Sequence, residues 1–197
     1  GVAILSKIPF LKKDILNFCG VNDARHVSVE FDNKIIIHNF YVPAGGDIPD
    51  TKKNPKFKYK IKFLQEMGLY FKKNKRKKML LVGDLNVAPS EFDVWSHSQL
   101  LKVVSYTPIE REKLANLVRQ GNWVDAVRYK HDYDEKLFSW WSYRSKDWIK
   151  SNRGRRLDHI FSTKDLLKKI KSIEICKKMR KMHKPSDHVP IIVELDL

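Results

Sequence analysis

A carboxylate and a carboxamide follow a short apolar run in the middle of the sequence. Residues 80–82, Leu-Leu-Val, are followed by Gly83, Asp84 and, two residues further on, Asn86. Side chains two residues apart on an extended segment lie on the same face, so both groups would point into one site. Together they could bind a hard cation, position a water molecule or hold a phosphate oxygen. Taken alone, the pair fits better an Asx-type turn that only ends the strand.

A second polar group lies near the C-terminus, in "PSDHVPIIVEL". Asp187 and His188 are neighbours in an extended segment and therefore face opposite ways, so Asp187 is poorly placed to orient His188. We interpret Asp187 as a contact to a metal or to water, and His188 as an acid, a base or an electrophile. A histidine in that role needs its second ring nitrogen held by another group. Asp158, in "NRGRRLDHIF", is the candidate, and His159 beside it is expected to be packed.

The segment "FSWWSYRSKDW" combines aromatic rings with cations. Rings of this kind can stack on bases or fill a lesion pocket while the cations neutralise phosphates. We expect one of Trp140 and Trp141 to belong to the core. The cations that follow the tryptophans are Arg144, Lys150, Arg153, Arg155 and Arg156.

Composition favours a polyanionic partner. The 197 residues, enough for one domain, contain 39 Lys and Arg against 23 Asp and Glu, a formal net charge of +16. Nucleic acid is the first partner that this charge indicates, and an anionic membrane surface is the second. The only cysteines, Cys19 and Cys176, have no metal-site spacing and suggest a reducing compartment, hence the cytoplasm. No signal peptide or membrane-spanning stretch is visible.

The pattern of apolar residues predicts a mixed α/β or α+β fold that positions these groups. Strands are predicted at 2–5, 27–31, 35–42 and 79–82, in a segment closed by Phe161, and at 189–197. Helices are predicted at 57–71, at 108–120 and at 165–173. The second helix begins with a capping box, Thr107 and Glu110, and with Pro108 in its first turn. The basic run 72–78 is interpreted as a solvated helix end and turn.

Four stretches of the sequence resemble successive motifs of the exonuclease III family of abasic-site endonucleases, within the endonuclease/exonuclease/phosphatase superfamily. They are "LLVGDLNVAPSEFDVW", "REKLANLVRQGNWVDAVR", "FSWWSYRSKDWIKSNRGRRLDHIFST" and "PSDHVPIIVEL", and "GVAILSK" and "NFYVPAGGD" are similar too. The resemblance implies a four-layer sandwich of two β-sheets flanked by helices, DNase I-like, in one domain over residues 1–197. It also implies metal-dependent hydrolysis of DNA phosphodiesters.

The resemblance assigns roles to five catalytic residues. Tyr41 matches the tyrosine that reaches the scissile phosphate or the leaving oxygen. Asp84 matches the residue that positions or deprotonates the attacking water, and Asn86 matches its partner on the phosphate. His188 matches the histidine that stabilises developing charge, and Asp158 the carboxylate that orients it.

The same resemblance implies a metal site and a substrate surface. Asp187, with Asp84 and Asn86, is expected at the metal site, with Mg²⁺ as the ion and Mn²⁺ as an alternative. Trp140 matches the aromatic residue that packs against an extruded abasic sugar. The other expected substrate contacts are Asn152, Arg153 and Arg155.

Two residues that the family uses lie outside this sequence. The family's Asn and its Glu metal ligand precede the "GVAILSK" motif, at which this chain begins. We therefore expect the domain to be incomplete at its N-terminus and to lack the N-terminal strands. Ala44 stands where relatives often carry Asn or Gln.

The sequence thus predicts a DNA-repair nuclease that cuts 5′ to abasic sites and trims 3′ ends. The expected partner is double-stranded DNA with abasic sites or 3′ ends, the expected state is a monomer, and no membrane is involved. Two alternatives remain open. One is a superfamily phosphatase acting on phosphoinositides, or a sphingomyelinase, although those proteins share the GD-N and SDH pieces without the tryptophan-rich block. The other is a non-catalytic nucleic-acid-binding module, whose affinity would fall with salt.

Overall fold

Three β-sheets are present in the residues that the structure describes. The structure is a computed structural model that describes residues 1–145 and 147–197. Its strands are β1 Lys12–Asp14, β2 His26–Glu30, β3 Ile36–Tyr41, β4 Met79–Asp84, β5 Val124–Asp125, β6 Trp140–Trp141, β7 Gly154–Arg155, β8 Asp158–Ser162, β9 Ile170–Ile175 and β10 Ile191–Leu195. The main sheet has the strand order β1-β2-β3-β4-β8-β5, and the pairs β9–β10 and β6–β7 form two small sheets. Its helices are α1 Pro55–Lys73, α2 His97–Leu100, α3 Pro108–Gly121, α4 Ala126–Tyr129, α5 Trp148–Ser151 and α6 Lys164–Leu167, with 3₁₀ turns at Glu91–Asp93 and Lys177–Lys181.

The register of the three central strands aligns their polar ends. Strand β3 is parallel to β4 and pairs Tyr41 with Asp84, and β4 is antiparallel to β8 and pairs Asp84 with Asp158. Gly83 permits this close pairing, because its φ is +118° and a Cβ there would lie 2.1 Å from the Phe40 carbonyl oxygen. Three polar side chains therefore start from one line across the sheet.

Each face of the main sheet is covered by a different layer. Helices α1 and α3 cover one face, where Phe71 and Leu117 pack with Leu81 and other buried strand residues. The β9–β10 sheet covers the other face, where residues such as Val193 pack against a cluster containing Leu80. The mixed fold of two sheets with flanking helices is confirmed. Within the described residues, no helix combines the length and the apolar composition that crossing a membrane requires.

Two of the three predicted helices and most of the predicted strands are confirmed. α1 and α3 span the predicted ranges, α3 begins with the predicted capping box, and the basic run 72–78 is exposed. The predicted strand at 2–5 is wrong: these residues form no strand, and Leu5 is 94% exposed. The helix at 165–173 is also wrong beyond its first turn, because β9 begins at Ile170 and pairs with β10.

A fully buried ion pair joins the two long helices. The Lys60 ammonium from α1 donates to the Glu110 carboxylate from α3, and neither side chain has exposed surface. Lys60 also donates to the backbone carbonyls of Ala44, at 3.2 Å, and Asn86, at 2.7 Å. Glu110 accepts from the backbone N–H of Thr107 at 3.0 Å, as the capping box requires. The pair thus connects the helix layer to the loop that follows β4.

Replacing Lys60 by Met should lower the free energy of unfolding by about 3–5 kcal/mol, because Glu110 would remain buried without its cation. Urea denaturation at neutral pH measures this change. Lys58→Met, at an exposed position of the same helix, is the matched control and should change stability by less than about 0.5 kcal/mol. Equal stability of the two variants would contradict the structural role given to Lys60.

Candidate active site

Two carboxylates and an imidazole meet where β4 ends and β8 begins. Asp84, Asp158 and His188 each offer one ligand or hydrogen-bonding atom, and these atoms lie within 4.8 Å of one another. Nε2 of His188 is 3.9 Å from Oδ2 of Asp84. All three side chains are partly exposed, so a substrate can reach them. The residues singled out at three separate strand ends therefore form one cluster.

His188 is oriented by Asp158, as the sequence predicts. Nδ1 of His188 is 2.7 Å from Oδ2 of Asp158, which fixes the ring and turns Nε2 toward Asp84. The backbone next to His188 is held too, because Val189 N–H donates to the Ser139 carbonyl at 2.8 Å. Partial burial disfavours the imidazolium, but the hydrogen bond and charge of Asp158 outweigh it and raise the pKa of His188.

Ser139, which the sequence analysis did not identify, holds Asp158 in position next to His188. Its buried hydroxyl donates to Oδ2 of Asp158 at 2.7 Å and accepts from the backbone N–H groups of Leu157 and Asp158, both at 3.0 Å. Asp158 therefore has little freedom to rotate away from His188. A serine beside two tryptophans has no distinctive spacing, so no local signal in the sequence could have revealed this contact.

Asp84 and Asn86 lie side by side, but a turn rather than an extended strand brings them together. The Asn86 backbone N–H donates to Oδ1 of Asp84 at 2.9 Å, which is the Asx-type turn, and Asn86 has a left-handed φ of 54°. The Asn86 side-chain amide donates to Oδ2 of Asp84 at 3.0 Å and to the Val42 carbonyl at 2.9 Å. The Asx-type turn is therefore confirmed, and the same turn, rather than an extended strand, places the two side chains side by side.

Asp84 has a strongly perturbed carboxyl group. Burial first and the negative charge of Asp158 second raise its pKa to about 7. The charge of His188 and the hydrogen bond from the Asn86 backbone act in the opposite direction. A carboxyl with this pKa can accept a proton near neutral pH, which suits a group that acts on water.

Tyr41, the fifth predicted catalytic residue, lies at the end of β3 next to Asp84 in the register. Its side chain is 37% exposed. The Arg25 guanidinium lies over its ring, 5.1 Å from the centroid. The phenol is thus on the same line as Asp84 and accessible from solvent.

A cleft of about 880 Å³ extends from this cluster toward the aromatic and basic residues. His188 and Asn86 line it, together with Trp140, Arg153 and Arg155. The cleft therefore joins two of the five predicted catalytic residues, Asn86 and His188, to three of the four predicted substrate contacts. Tyr41, Asp84 and Asp158 are not among the residues that line it.

Trp140 is fixed at the wall of the cleft. Its indole N–H donates to Oδ2 of Asp187 at 2.9 Å, and the Arg155 guanidinium lies over its ring, 5.2 Å from the centroid. Trp141 is buried at 1% exposure, so the prediction that one of the two tryptophans belongs to the core is confirmed. Asp187 faces Trp140 while His188 faces Asp158, in agreement with their predicted opposite orientations.

The basic residues of the cleft also have structural contacts. Arg155 donates to the Val104 carbonyl at 3.1 Å and to the Ser105 hydroxyl at 2.7 Å, and burial lowers its pKa. Arg153 lies over the ring of Trp95, 4.7 Å from the centroid. Asn152 accepts the indole N–H of buried Trp141 at 3.1 Å, so its carbonyl oxygen supports the wall of the cleft.

Arg156 corrects the interpretation of the basic loop as a set of phosphate contacts. It is 1% exposed and donates to Asp93 at 2.7 Å and to Asp125 at 2.6 Å, so it is not available to a ligand. Burial opposes ionisation of Asp93, but the charge of Arg156 outweighs it and lowers the pKa to about 2. His159 is packed beside Arg156, as expected, and burial lowers its pKa to about 4.

The residues of the cluster fit a hard divalent cation. Asp84 and Asp158 place two carboxylates together, and a cation between them would offset the burial and the repulsion that raise the pKa of Asp84. The Asn86 side chain donates through its nitrogen, which leaves its oxygen as a third oxygen donor. Asp187 lies outside the group of atoms that can share one ion in the described part of the chain.

Comparisons with known proteins agree with this geometry. The model of the "Endonuclease/Exonuclease/phosphatase family" matches residues 1–188. Exodeoxyribonuclease III of Haemophilus influenzae is 32% identical over 176 residues, which are 85% of this chain and 64% of that protein. A DNA-(apurinic or apyrimidinic site) endonuclease of Dictyostelium discoideum is 33% identical over 182 residues, 89% of this chain and 46% of that protein. The chain thus spans less than two thirds of the length of either relative.

Solved structures show the same fold. An AP endonuclease from Archaeoglobus fulgidus superposes with a TM-score of 0.82 at 27% identity, over 94% of this chain and 72% of that one. A 3′ phosphatase, NExo, from Neisseria bound to a product DNA hairpin superposes with a TM-score of 0.87 at 22% identity, over 98% of this chain and 73% of that one. The motif resemblance to the exonuclease III type is confirmed by the Haemophilus and Dictyostelium relatives and by the Archaeoglobus structure.

Asp158→Asn should lower the pKa of Asp84 from about 7, because it removes a like charge while the burial remains. The pKa of His188 should fall as well, because its ion-pair partner is lost. Carbon-detected NMR titration of the carboxyl groups, without added divalent metal, measures the first change. Asp187→Asn removes a carboxylate that faces Trp140 and serves as the matched control. An equal shift of Asp84 in both variants would contradict the assigned coupling.

Proposed function

Because this chain belongs to the endonuclease/exonuclease/phosphatase family, we propose that its site hydrolyses phosphodiester bonds of DNA. The observation that supports this most directly is the cluster of Asp84, Asp158 and His188 at the end of a cleft lined by Trp140 and Arg155. The cluster supplies groups for proton transfer and charge stabilisation, and the cleft supplies an aromatic and cationic surface for a nucleic acid. The names of the relatives, exodeoxyribonuclease III and abasic-site endonuclease, support the same substrate class.

In the proposed reaction, Asp84 accepts a proton and His188 stabilises negative charge. Asp84 positions the attacking water and accepts its proton, and the Asn86 amide, which donates to Oδ2 of Asp84 at 3.0 Å, helps to hold that carboxylate. His188, held through Nδ1 by Asp158, presents Nε2 to a non-bridging phosphate oxygen and stabilises the charge that develops there. Tyr41, on the neighbouring strand, reaches toward the leaving oxygen.

A bound divalent cation, Mg²⁺ or Mn²⁺, would neutralise charge on the phosphate. We propose that Asp84, Asp158 and Asn86 hold this cation. Asp187, which precedes His188 and accepts the indole N–H of Trp140, would be a more distant acidic group. Two carboxylates opposite each other in the strand register, with oxygen atoms within 4.8 Å of one another, support this proposal.

The substrate we propose is double-stranded DNA with an abasic site or a 3′ end. Trp140 lines the cleft and forms a β-bridge with His188, and an extruded abasic sugar would pack against its ring there. Arg153, Arg155 and Asn152 lie on or beside the same wall and would contact the flanking phosphates.

We propose that one chain in a reducing compartment such as the cytoplasm carries this activity. The three groups of the cluster, Asp84, Asp158 and His188, come together within one chain, which suits a monomer. Cys19 and Cys176 are both free thiols, which suits a reducing compartment.

The proposal is tested with a labelled duplex that contains one abasic analogue. With Mg²⁺ the protein should cut 5′ to the lesion, and with EDTA it should not. His188→Ala should reduce the cleavage rate by about 100-fold or more, because the stabilising donor is lost, while DNA binding is largely retained.

His183→Ala changes an exposed histidine in the same segment before β10 and is the matched control. This variant should cleave the duplex at the rate of the unmodified protein. Near-normal turnover by His188→Ala would disprove the assigned role. DNA binding without cleavage by the unmodified protein would favour the non-catalytic module, and phosphate release from phosphoinositides would favour the lipid phosphatase.

A further inference from the structure

A second groove, the distal groove, lies at the other end of the main sheet. It has a volume of about 600 Å³ and is bounded by β1, by the start of β3 and by the segment after α1. Six basic residues line it: Lys12, Lys13, Lys34, Arg76, Lys77 and Lys78. Only two carboxylates, Asp14 and Glu30, line it with them.

The distal groove is separate from the cleft at Asp84. Met79 lines the groove and begins β4, whereas Asp84 ends the same strand. Five steps along an extended strand cover about 17 Å. The groove and the Asp84 end of the cleft are therefore two separate places along β4.

The six cations of the groove have no carboxylate partner in the part of the chain that the structure describes. Lys78 donates only to a backbone carbonyl, that of Asn33, at 3.2 Å. Exposed like charges gathered around a concavity repel one another and create a strong positive potential in it. A polyanion would relieve that repulsion and displace the counterions.

The apolar residues of the groove argue for a nucleic acid rather than a membrane. Val29 and Met79 are buried in its floor, and Ile36 is half-buried. Among the residues that line the groove in the described part of the chain, the cations are exposed and the aliphatic side chains are not, whereas the exposed Leu11 and Ile15 flank β1 outside the lining. A charged concave surface of this kind suits the backbone of a nucleic-acid strand.

We propose that the distal groove binds the phosphate backbone of a second stretch of DNA, outside the stretch held in the catalytic cleft. The proposal rests on the proposed function in one respect, the choice of DNA as the polyanion. The basic run after α1 then has a role beyond that of a solvated helix end, because Arg76 and Lys77 would contact phosphates.

The test is a binding measurement that does not depend on cleavage. Fluorescence anisotropy with a labelled lesion-free duplex in EDTA gives the affinity of the unmodified protein and of Arg76→Gln/Lys77→Gln at several salt concentrations. Loss of two phosphate contacts should reduce the slope of log K against log salt concentration by about 1.8. Between about 50 and 200 mM salt, the affinity of this variant should therefore fall about tenfold less than that of the unmodified protein.

Lys58→Gln/Lys62→Gln, at exposed positions of α1, removes the same charge elsewhere and should leave the slope nearly unchanged. Equal effects of the two double variants on DNA binding would overturn the proposal. A second result would also overturn the proposal: the groove variant alone loses binding to phosphatidylserine vesicles and binds DNA as the unmodified protein does. This result would assign the groove to a lipid surface. The groove variant should cut a short abasic duplex at the normal rate, so a failure of the cleavage reaction would be distinguishable from a failure of this proposal.

Discussion

A lysine with no exposed surface holds the candidate site together. Lys60 must be paired because an isolated ammonium group is very unfavourable in a protein interior, and it finds Glu110 from α3 and the carbonyls of Ala44 and Asn86. These contacts fix the helix layer against the loop after β4. The position of Asn86, and with it the hydrogen bonds to the Asp84 carboxylate, therefore depends on one buried charge about two turns into α1.

A second buried ion network holds the far end of the same loop. Arg156 precedes β8 and binds Asp93 and Asp125, and Arg128 adds a second cation on Asp93 at 2.7 Å. The loop from β4 is thus held by buried charges on both sides of the segment that leads into the cleft. This explains why a loop, rather than a regular element, can present catalytic groups with fixed geometry, since each end is tied to packed helices or strands.

The strand register and the buried ion pairs place two carboxylates and an imidazole close to one another. Asp84 and Asp158 lie opposite each other in a strand register, so the sheet keeps their Cα atoms close together. The repulsion between the two carboxylates and the burial of Asp84 favour either a protonated Asp84 or a bound cation. The positive charge of His188 offsets part of this repulsion. Ser139 limits the freedom of Asp158, so the imidazole keeps one orientation toward the cleft.

The sequence by itself determined the local features. The capping box and the spacing of apolar residues defined α1 and α3, and the need of a histidine for a partner led correctly to Asp158. Helix periodicity, caps and side-chain chemistry act over a few residues, so they can be recognised in a linear string.

Only the tertiary structure decided the alignment of Tyr41, Asp84 and Asp158, the burial of Arg156 and the strand at β9. Each depends on a partner distant in the chain: Arg156 finds Asp93 across 63 residues, and β9 is extended because β10 pairs with it. A basic residue in a loop or a short apolar segment has the same local signal whether it is buried or exposed. Strand pairing and desolvation select between those outcomes, and both are fixed only when the whole chain has packed.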